Sequence, residues 1–206
     1  MIPKEFKKFK PVFFDRGKRS YVYKFKKGGK EFAIKTKKPD LNFDTLKNEA
    51  RFLRLLNKKG IGPKIIGEGK SYVAYEFVKG ERFIDWLEKS KNPLKVIKKV
   101  LWFCRVMDKL KINKKEMHKP VKHILVYNNK PQMIDFERCY FTKKPKNLTQ
   151  FCQFLISKDI SKILNKKGFI IDRIRLVQIL KSYKKEETDK NYNQVISILD
   201  SSKKAF

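Results

Sequence analysis

Residues 20–37, "SYVYKFKKGGKEFAIKTK", hold two alternating apolar/polar runs around Gly28-Gly29. A two-glycine centre supplies the positive φ angles that a tight hairpin turn demands, so this stretch predicts two antiparallel strands. A further strand, "PVFFD", precedes it. After it comes "NFDTLKNEARFLRLLNKKG", with Leu46, Ala50, Leu53 and Leu56 at helical spacing and Gly60 placed to stop the helix. "PKIIGEG" and "SYVAYEFV" read as a second hairpin around Gly67 and Gly69. Residues up to about 78 thus form a five-strand pattern with one helix inserted after the third strand.

Beyond Gly80 the pattern turns helical. Asn92 is a candidate cap for a helix with Pro93 at its first position, and "LKVIKKVLWFCRVMDKL" is apolar enough to be a buried central helix. Two short strands, "HILVYN" and "QMIDF", follow. Asn147 with Gln150 resembles a capping box opening "LTQFCQFLIS". Gly168 ends the next helix, and residues 173–183 and 190–200 make two more. The expected class is α+β: one domain over 1–206, with a β-rich lobe at 1–78 and a helical lobe at 79–206.

Bulk composition narrows the function classes. The 206 residues are 41% hydrophobic with 17 phenylalanines, enough for a core, which argues against global disorder. No run of about 18 uncharged apolar residues exists, and "MIPKEFKKFK" has no apolar signal region. A soluble cytoplasmic protein without membrane contact is expected. Cys104, Cys139 and Cys152 form no C-x-x-C pair, which argues against a disulfide framework or a zinc site. The net charge of +31 suits a polyanionic partner such as RNA or a ribonucleoprotein. Yet lysine supplies 43 of the 52 basic residues and is spread along the whole chain, a pattern that compositional bias or heat adaptation also produces.

Candidate chemistry lies in four separated elements. "GKRSYVY" places Gly17 and Ser20 in a turn whose amides and hydroxyl can cradle phosphate oxygens. "EFAIK" puts Lys35 on the next strand, and Glu49 on the following helix can pair with it and hold its ammonium toward a nucleotide. Singly, these also read as an ordinary turn, a strand lysine and a solvated helix-face glutamate. The fourth element is "EMHKPVKHILVYNNKPQMIDFERC", residues 116–139. If the chain is extended at its end, Asp135 and Glu137 point to one face and offer two hard oxygens. Glu137 is equally placed to pair with Arg138.

In this order the elements resemble the protein kinases, over roughly residues 12 to 157. "HILVYNNKPQMIDFE" is similar to the second half of the kinase catalytic loop and metal-binding strand. The single-glycine turn looks most like the RIO kinases and the small kinase subunit of the KEOPS tRNA-modifying complex. "KEMHKPVKHI", "IDFERC" and "NLTQF" resemble a family of small archaeal predicted serine/threonine kinases. The resemblance implies ATP and Mg²⁺ (or Mn²⁺) as cofactors. Lys35 would touch the α/β-phosphates, Glu49 would position it, and Asp135 would hold the metal. Backbone groups of Glu76, Phe77 and Val78 would hold adenine, with Tyr75 as gatekeeper. Only 11 residues separate Glu137 from Thr149, so no peptide-substrate activation segment is expected.

The departures from the kinase pattern bear on mechanism. Its catalytic aspartate position falls on His118 in an ungapped register, or on Glu116 if the loop carries a two-residue insertion; the carboxylate is preferred. His123 stands at the position of a metal-binding asparagine, and imidazole is a poor ligand for Mg²⁺, so Glu137 would supply the missing oxygen. The expected activity is phosphoryl transfer to a serine or threonine of a protein, the chain itself included. Two alternatives are a small-molecule phosphotransferase of the aminoglycoside-kinase type and a catalytically silent basic scaffold that binds RNA or a ribonucleoprotein. On this reading Lys35→Ala weakens ATP binding and leaves the fold intact.

Overall fold

The first alternating runs pair as expected. In the computed structural model, which describes residues 2–39 and 45–203, Ser20–Lys27 and Lys30–Lys37 are antiparallel strands in register from Ser20↔Lys37 to Lys27↔Lys30. Gly28 and Gly29 carry the turn at φ +54° and +74°, angles that cost glycine nothing. The fold is α+β and divides into two compact units, the residues up to Lys79 with Gln132–Cys139, and Gly80–Pro131 with Tyr140 onward.

In the first unit the order is α1 (Lys4–Lys7), β1 (Val12–Arg16), β2 (Ser20–Lys27), β3 (Lys30–Lys37), α2 (Thr45–Asn57), β4 (Ile65–Gly69) and β5 (Tyr72–Glu76). The five strands form one antiparallel sheet in the order β1-β2-β3-β5-β4. β1 is an outer strand with all five residues exposed, and its ladder is broken between Phe13 and Asp15. The short α1 was not legible in advance. Its Phe6 packs with Phe25, Phe32, Ile34 and Ala74, with Phe9 and Tyr72 alongside, and so covers one face of the sheet. Because Ile34 belongs to that cluster, strand alternation sends Lys35 to the opposite face.

α2 buries Leu46, Ala50, Leu53 and Leu56, the stripe the spacing predicts, together with Phe52 and Glu49. Residues Asn42–Asp44 of the expected helical segment lie outside the described residues. Past the helix end the Ile61 amide reaches back to the Leu56 carbonyl at 3.0 Å. Asn57 then clamps the exit, its Nδ2 donating to the Ile61 and Pro63 carbonyls and its Oδ1 accepting from the Ile65 amide. Gly62, at φ +79°, permits a close approach: a Cβ there would lie 2.8 Å from Leu53 Cδ2 and 2.9 Å from Phe136 Cε2. The second hairpin differs from expectation. Its turn is Lys70-Ser71, because Gly69 pairs with Tyr72, while Gly67 sits inside β4 at a register shift.

In the second unit β6 (Glu81–Arg82) leads into α3 (Phe83–Lys89) and α4 (Leu94–Lys109), then β7 (Ile112–Lys114) and a 3-10 turn, Lys115–His118. The strands β8 (Ile124–Tyr127), β9 (Lys130–Met133) and β10 (Cys139–Phe141) follow, with Gln132, Met133 and Cys139 belonging to the first unit, and then the helices α5 (Asn147–Leu155), α6 (Lys158–Asn165), α7 (Arg173–Lys185) and α8 (Asp189–Asp200). β6, β8 and β9 make a three-stranded sheet, and β10 pairs with β7. α4 buries Val96, Ile97, Val100, Leu101, Phe103, Cys104 and Met107, as its composition implies. It begins at Leu94 with Pro93 as the preceding residue, so Asn92 is not its cap. All three cysteines are buried, and none is in a disulfide among the described residues. Among the described residues no helix is long and apolar enough to cross a membrane.

Asn147 does not act as a capping-box residue. It is the first residue of α5 and fully buried, and its amide works across the chain instead. Oδ1 accepts from the Lys114 amide at 2.8 Å, while Nδ2 donates to Asp108 Oδ1 and to the Ile112 carbonyl, both at 2.7 Å. Asp108 itself accepts from the Asn147 and Leu148 amides and from the Tyr183 hydroxyl. Four donors therefore satisfy its two buried oxygens. Arg105 completes the knot, donating to the Tyr183 oxygen at 3.1 Å and to Asp189. Burial still pushes the Asp108 carboxyl up to about 6 against these hydrogen bonds.

Candidate functional site: a buried lysine among three carboxylates

β3, α2 and the segment 132–139 bring four of the singled-out residues together in the first unit. Lys35 is 7% exposed. Its ammonium lies 2.8 Å from Glu49 Oε2, 3.0 Å from Asp135 Oδ1 and 3.5 Å from Glu137 Oε2. Desolvation alone would lower the Lys35 pKa, but Glu49 first, then Asp135 and Glu137, overcome it and raise the ammonium well above the ordinary lysine range. Burial pushes the Glu49 carboxyl up, opposed by Lys35. The Lys35 charge compensates a carboxylate that is 1% exposed, so the side chain bears on stability as well as on binding.

Asp135 reaches this place by a route that alternation did not foresee. β9 ends at Met133, and Asp135 stands in the left-handed region at φ +61°. A non-glycine residue there carries local strain, which surrounding contacts must hold. Those contacts are specific. Phe136 is fully buried, and its amide points to Glu49 Oε1 at 3.4 Å. Asn48 Nδ2 donates to the carbonyls of Glu137 and Cys139 at 2.8 and 2.9 Å. The segment is thus pinned to α2 by side chains on two successive residues, Asn48 and Glu49.

Glu137 pairs with Arg19, whose Nη1 donates to Oε1 at 3.1 Å. Arg19 lies in the turn opened by Gly17. That turn is closed by the Gly17 amide on the Ser20 carbonyl at 2.9 Å, and the Ser20 side chain is buried beneath it. The Lys38 amide takes the Arg19 carbonyl at 3.2 Å and tethers the turn to β3. Arg19 and Asn48 were missed in the sequence. The available signals were an arginine in a chain whose basic residues are mostly lysine, and a position next to Glu49.

Oxygens of Glu49, Asp135 and Glu137 lie within 4.8 Å of one another, the group among the described residues with the spacing of a metal site. Carboxylate oxygens are the donors hard cations prefer, and the Asp135 side chain, 37% exposed, can be reached from solvent. The donor set therefore fits Mg²⁺ or Mn²⁺, with Asp135 and Glu137 as first candidates and Glu49 already engaged with Lys35. His123 is not in this group. It stands half-buried in the second unit, before β8.

The other singled-out residues fall into two sets. Tyr75, on β5, is half-buried, and desolvation raises its phenol well above the ordinary range. The amides of Glu76 and Phe77 donate to the Lys64 and Glu31 carbonyls at 2.9 Å, so neither is available to a base. Val78 follows, half-buried, in the same unit. In the second unit Glu116 is 8% exposed and lies 3.3 Å from the ammonium of the fully buried Lys114. His118 is exposed at the end of the 3-10 turn, with Nδ1 3.1 Å from the Lys115 carbonyl.

Chemically, the first unit offers a fixed ammonium able to bind an anionic oxygen, and a flanking carboxylate pair able to hold a divalent cation. No model of a known protein family matches the chain, and no curated protein sequence is significantly similar to it.

Proposed function

We propose that this protein is an ATP-dependent phosphotransferase of an atypical, protein-kinase-like type, transferring the γ-phosphoryl group to a serine or threonine hydroxyl of a protein, its own chain included. The observation that carries the reading is Lys35 held between Glu49 and Asp135 at 2.8 and 3.0 Å. The three come from a strand, a helix and a segment 100 residues away, in the order a nucleotide-binding lysine, its positioning glutamate and a metal-binding aspartate would follow.

Lys35 binds an α- or β-phosphate oxygen, and Glu49 fixes the direction of its ammonium. Asp135 and Glu137 would hold Mg²⁺ or Mn²⁺, which when bound neutralises charge on the phosphates. Since the Glu76 and Phe77 amides are spent within the sheet, adenine contact falls to the Val78 amide and to backbone carbonyls. Glu116 orients the acceptor hydroxyl, its carboxylate steadied by Lys114. His123 plays no part in holding the cation, because an imidazole suits it poorly.

The test is transfer from radiolabelled ATP by the purified protein with and without Mg²⁺ or Mn²⁺, beside Asp135→Ala. Metal-dependent label on protein, absent in the variant, is expected. No ATP turnover under any metal condition, with RNA binding that weakens steeply as salt rises, would instead make the protein a silent basic scaffold. Label confined to an added small-molecule acceptor would replace the protein substrate with a small one.

A further inference from the structure

Glu137 joins two cations, Arg19 in the turn before β2 and Lys35 on β3. One carboxylate oxygen lies 3.1 Å from Arg19 Nη1, the other 3.5 Å from Lys35 Nζ. A phosphoryl group presents its oxygens to an arginine and a lysine in the same bridging manner. We propose that Arg19 is a phosphate-binding residue of this site, and that the Glu137 carboxylate competes with nucleotide phosphates for Arg19 and Lys35. The proposal rests on the nucleotide-binding reading above and adds to it a residue and a built-in competitor.

Three features give the two side chains these roles. The root of Arg19 is fixed, because its turn is closed by the Gly17–Ser20 hydrogen bond and tied to β3 through Lys38. Its side chain is 36% exposed, whereas that of Lys35 is 9% exposed and committed to Glu49. Arg19 is therefore the cation of the pair that can reorient toward a ligand. The Glu137 backbone has its own anchor, the Asn48 amide on its carbonyl, separate from the carboxylate contacts. The side chain can leave Arg19 while the segment stays in place. A divalent cation that recruited this carboxylate would release the guanidinium, so metal and nucleotide would each strengthen the other's binding.

The experiment measures ATP and adenosine affinity in EDTA by calorimetry for the wild type, Arg19→Ala, Arg19→Lys, Glu137→Gln and the Arg19→Ala/Glu137→Gln double variant, with melting curves for each. Arg19→Ala is expected to lose about tenfold to hundredfold in ATP affinity, the worth of one charge-assisted hydrogen bond, with adenosine unchanged. Arg19→Lys keeps the charge without the fork and falls between. Glu137→Gln gains about tenfold for ATP. That gain should shrink in the double variant, which separates competition for Arg19 from a general rise in positive potential. If wild type binds ATP while Arg19→Ala binds it equally well, or if the Glu137→Gln gain persists in full without Arg19, the inference is overturned and the phosphotransferase reading stands. If wild type binds no nucleotide with or without metal, the reading itself fails.

Discussion

Replacing Lys35 by alanine tests whether the buried charge cluster is held together by its cation. In the wild type the ammonium faces Glu49, Asp135 and Glu137 at 2.8, 3.0 and 3.5 Å, and the Glu49 side chain is 1% exposed. Without Lys35 a buried carboxylate stays beside two like charges. Removing one partner of a buried pair costs about 3 to 5 kcal/mol. A domain of this size loses about 2 to 4 °C of melting temperature per kcal/mol, so a fall of roughly 6 to 20 °C is expected. The deficit must also depend on pH. Burial already raises the Glu49 carboxyl, and the variant lacks the opposing Lys35 contribution. A folded pKa above the unfolded value means the folded state keeps its proton longer, so stability falls as pH rises through that raised value. The gap between Lys35→Ala and wild type should therefore be small near the unfolded carboxylate value of about 4.3 and widen toward neutrality. Urea unfolding followed by circular dichroism, from about pH 5 to about pH 8, reads this directly. Adding Glu49→Gln should recover part of the loss. A variant as stable as wild type at neutral pH, with no pH-dependent gap, would refute the argument.

Glu116→Gln should lower turnover by about 10² to 10⁴ while nucleotide binding survives, and His118→Ala should be mild, as steady-state kinetics would read. The reverse pattern would move the acceptor-orienting role to His118. Asn147→Ala should cost roughly 3 to 5 kcal/mol in denaturant unfolding, because it leaves the buried Lys114 amide and Ile112 carbonyl without their partner. Asp108 should titrate near 6 by carbon-detected NMR. Its folded pKa is raised above the ordinary 3.8, so its contribution is fully present below that value and is lost as pH rises through about 6, a change of roughly 3 kcal/mol.

Some of the fold was legible because local chemistry and tertiary structure agreed. Gly28-Gly29 is a turn on any backbone that pairs its neighbours, and the α2 stripe faces the sheet because its apolar residues recur at helical spacing. Gly67 and Gly69 misled for the opposite reason. They leave room for rings: a Cβ on Gly67 would meet Phe6 Cζ at 3.3 Å, and one on Gly69 would meet Tyr72 Cε1 at 2.5 Å. Neither constraint is local. Asn147 has the spacing of a cap, but its partners lie 33 to 39 residues upstream and no window around it contains them. Lys35, Glu49 and Asp135 could be picked out because each stands in a patterned element whose order carried information. Glu137 was picked for a strand alternation that the left-handed Asp135 does not obey, yet it arrives beside Lys35 by the bend this residue makes. Arg19 gave no pattern, since a single arginine in a turn among lysines has a surface explanation until its partner is known.

The outer strand β1 bears on self-association. Val12, Phe13 and Phe14 are 69, 56 and 53% exposed, an apolar row on an outer strand of the kind that recruits a second chain. Two features oppose this. The irregularity between Phe13 and Asp15 breaks the even spacing a partner strand would need, and Asp15 Oδ1 takes the Arg16 amide at 2.7 Å. In the β1–β2 register that amide points away from β2, so the aspartate withdraws a donor from the open edge and leaves a charge there. Asp15 is thus a gatekeeper against edge-to-edge pairing, and Asp15→Val would turn β1 into a continuous aggregation-prone strand.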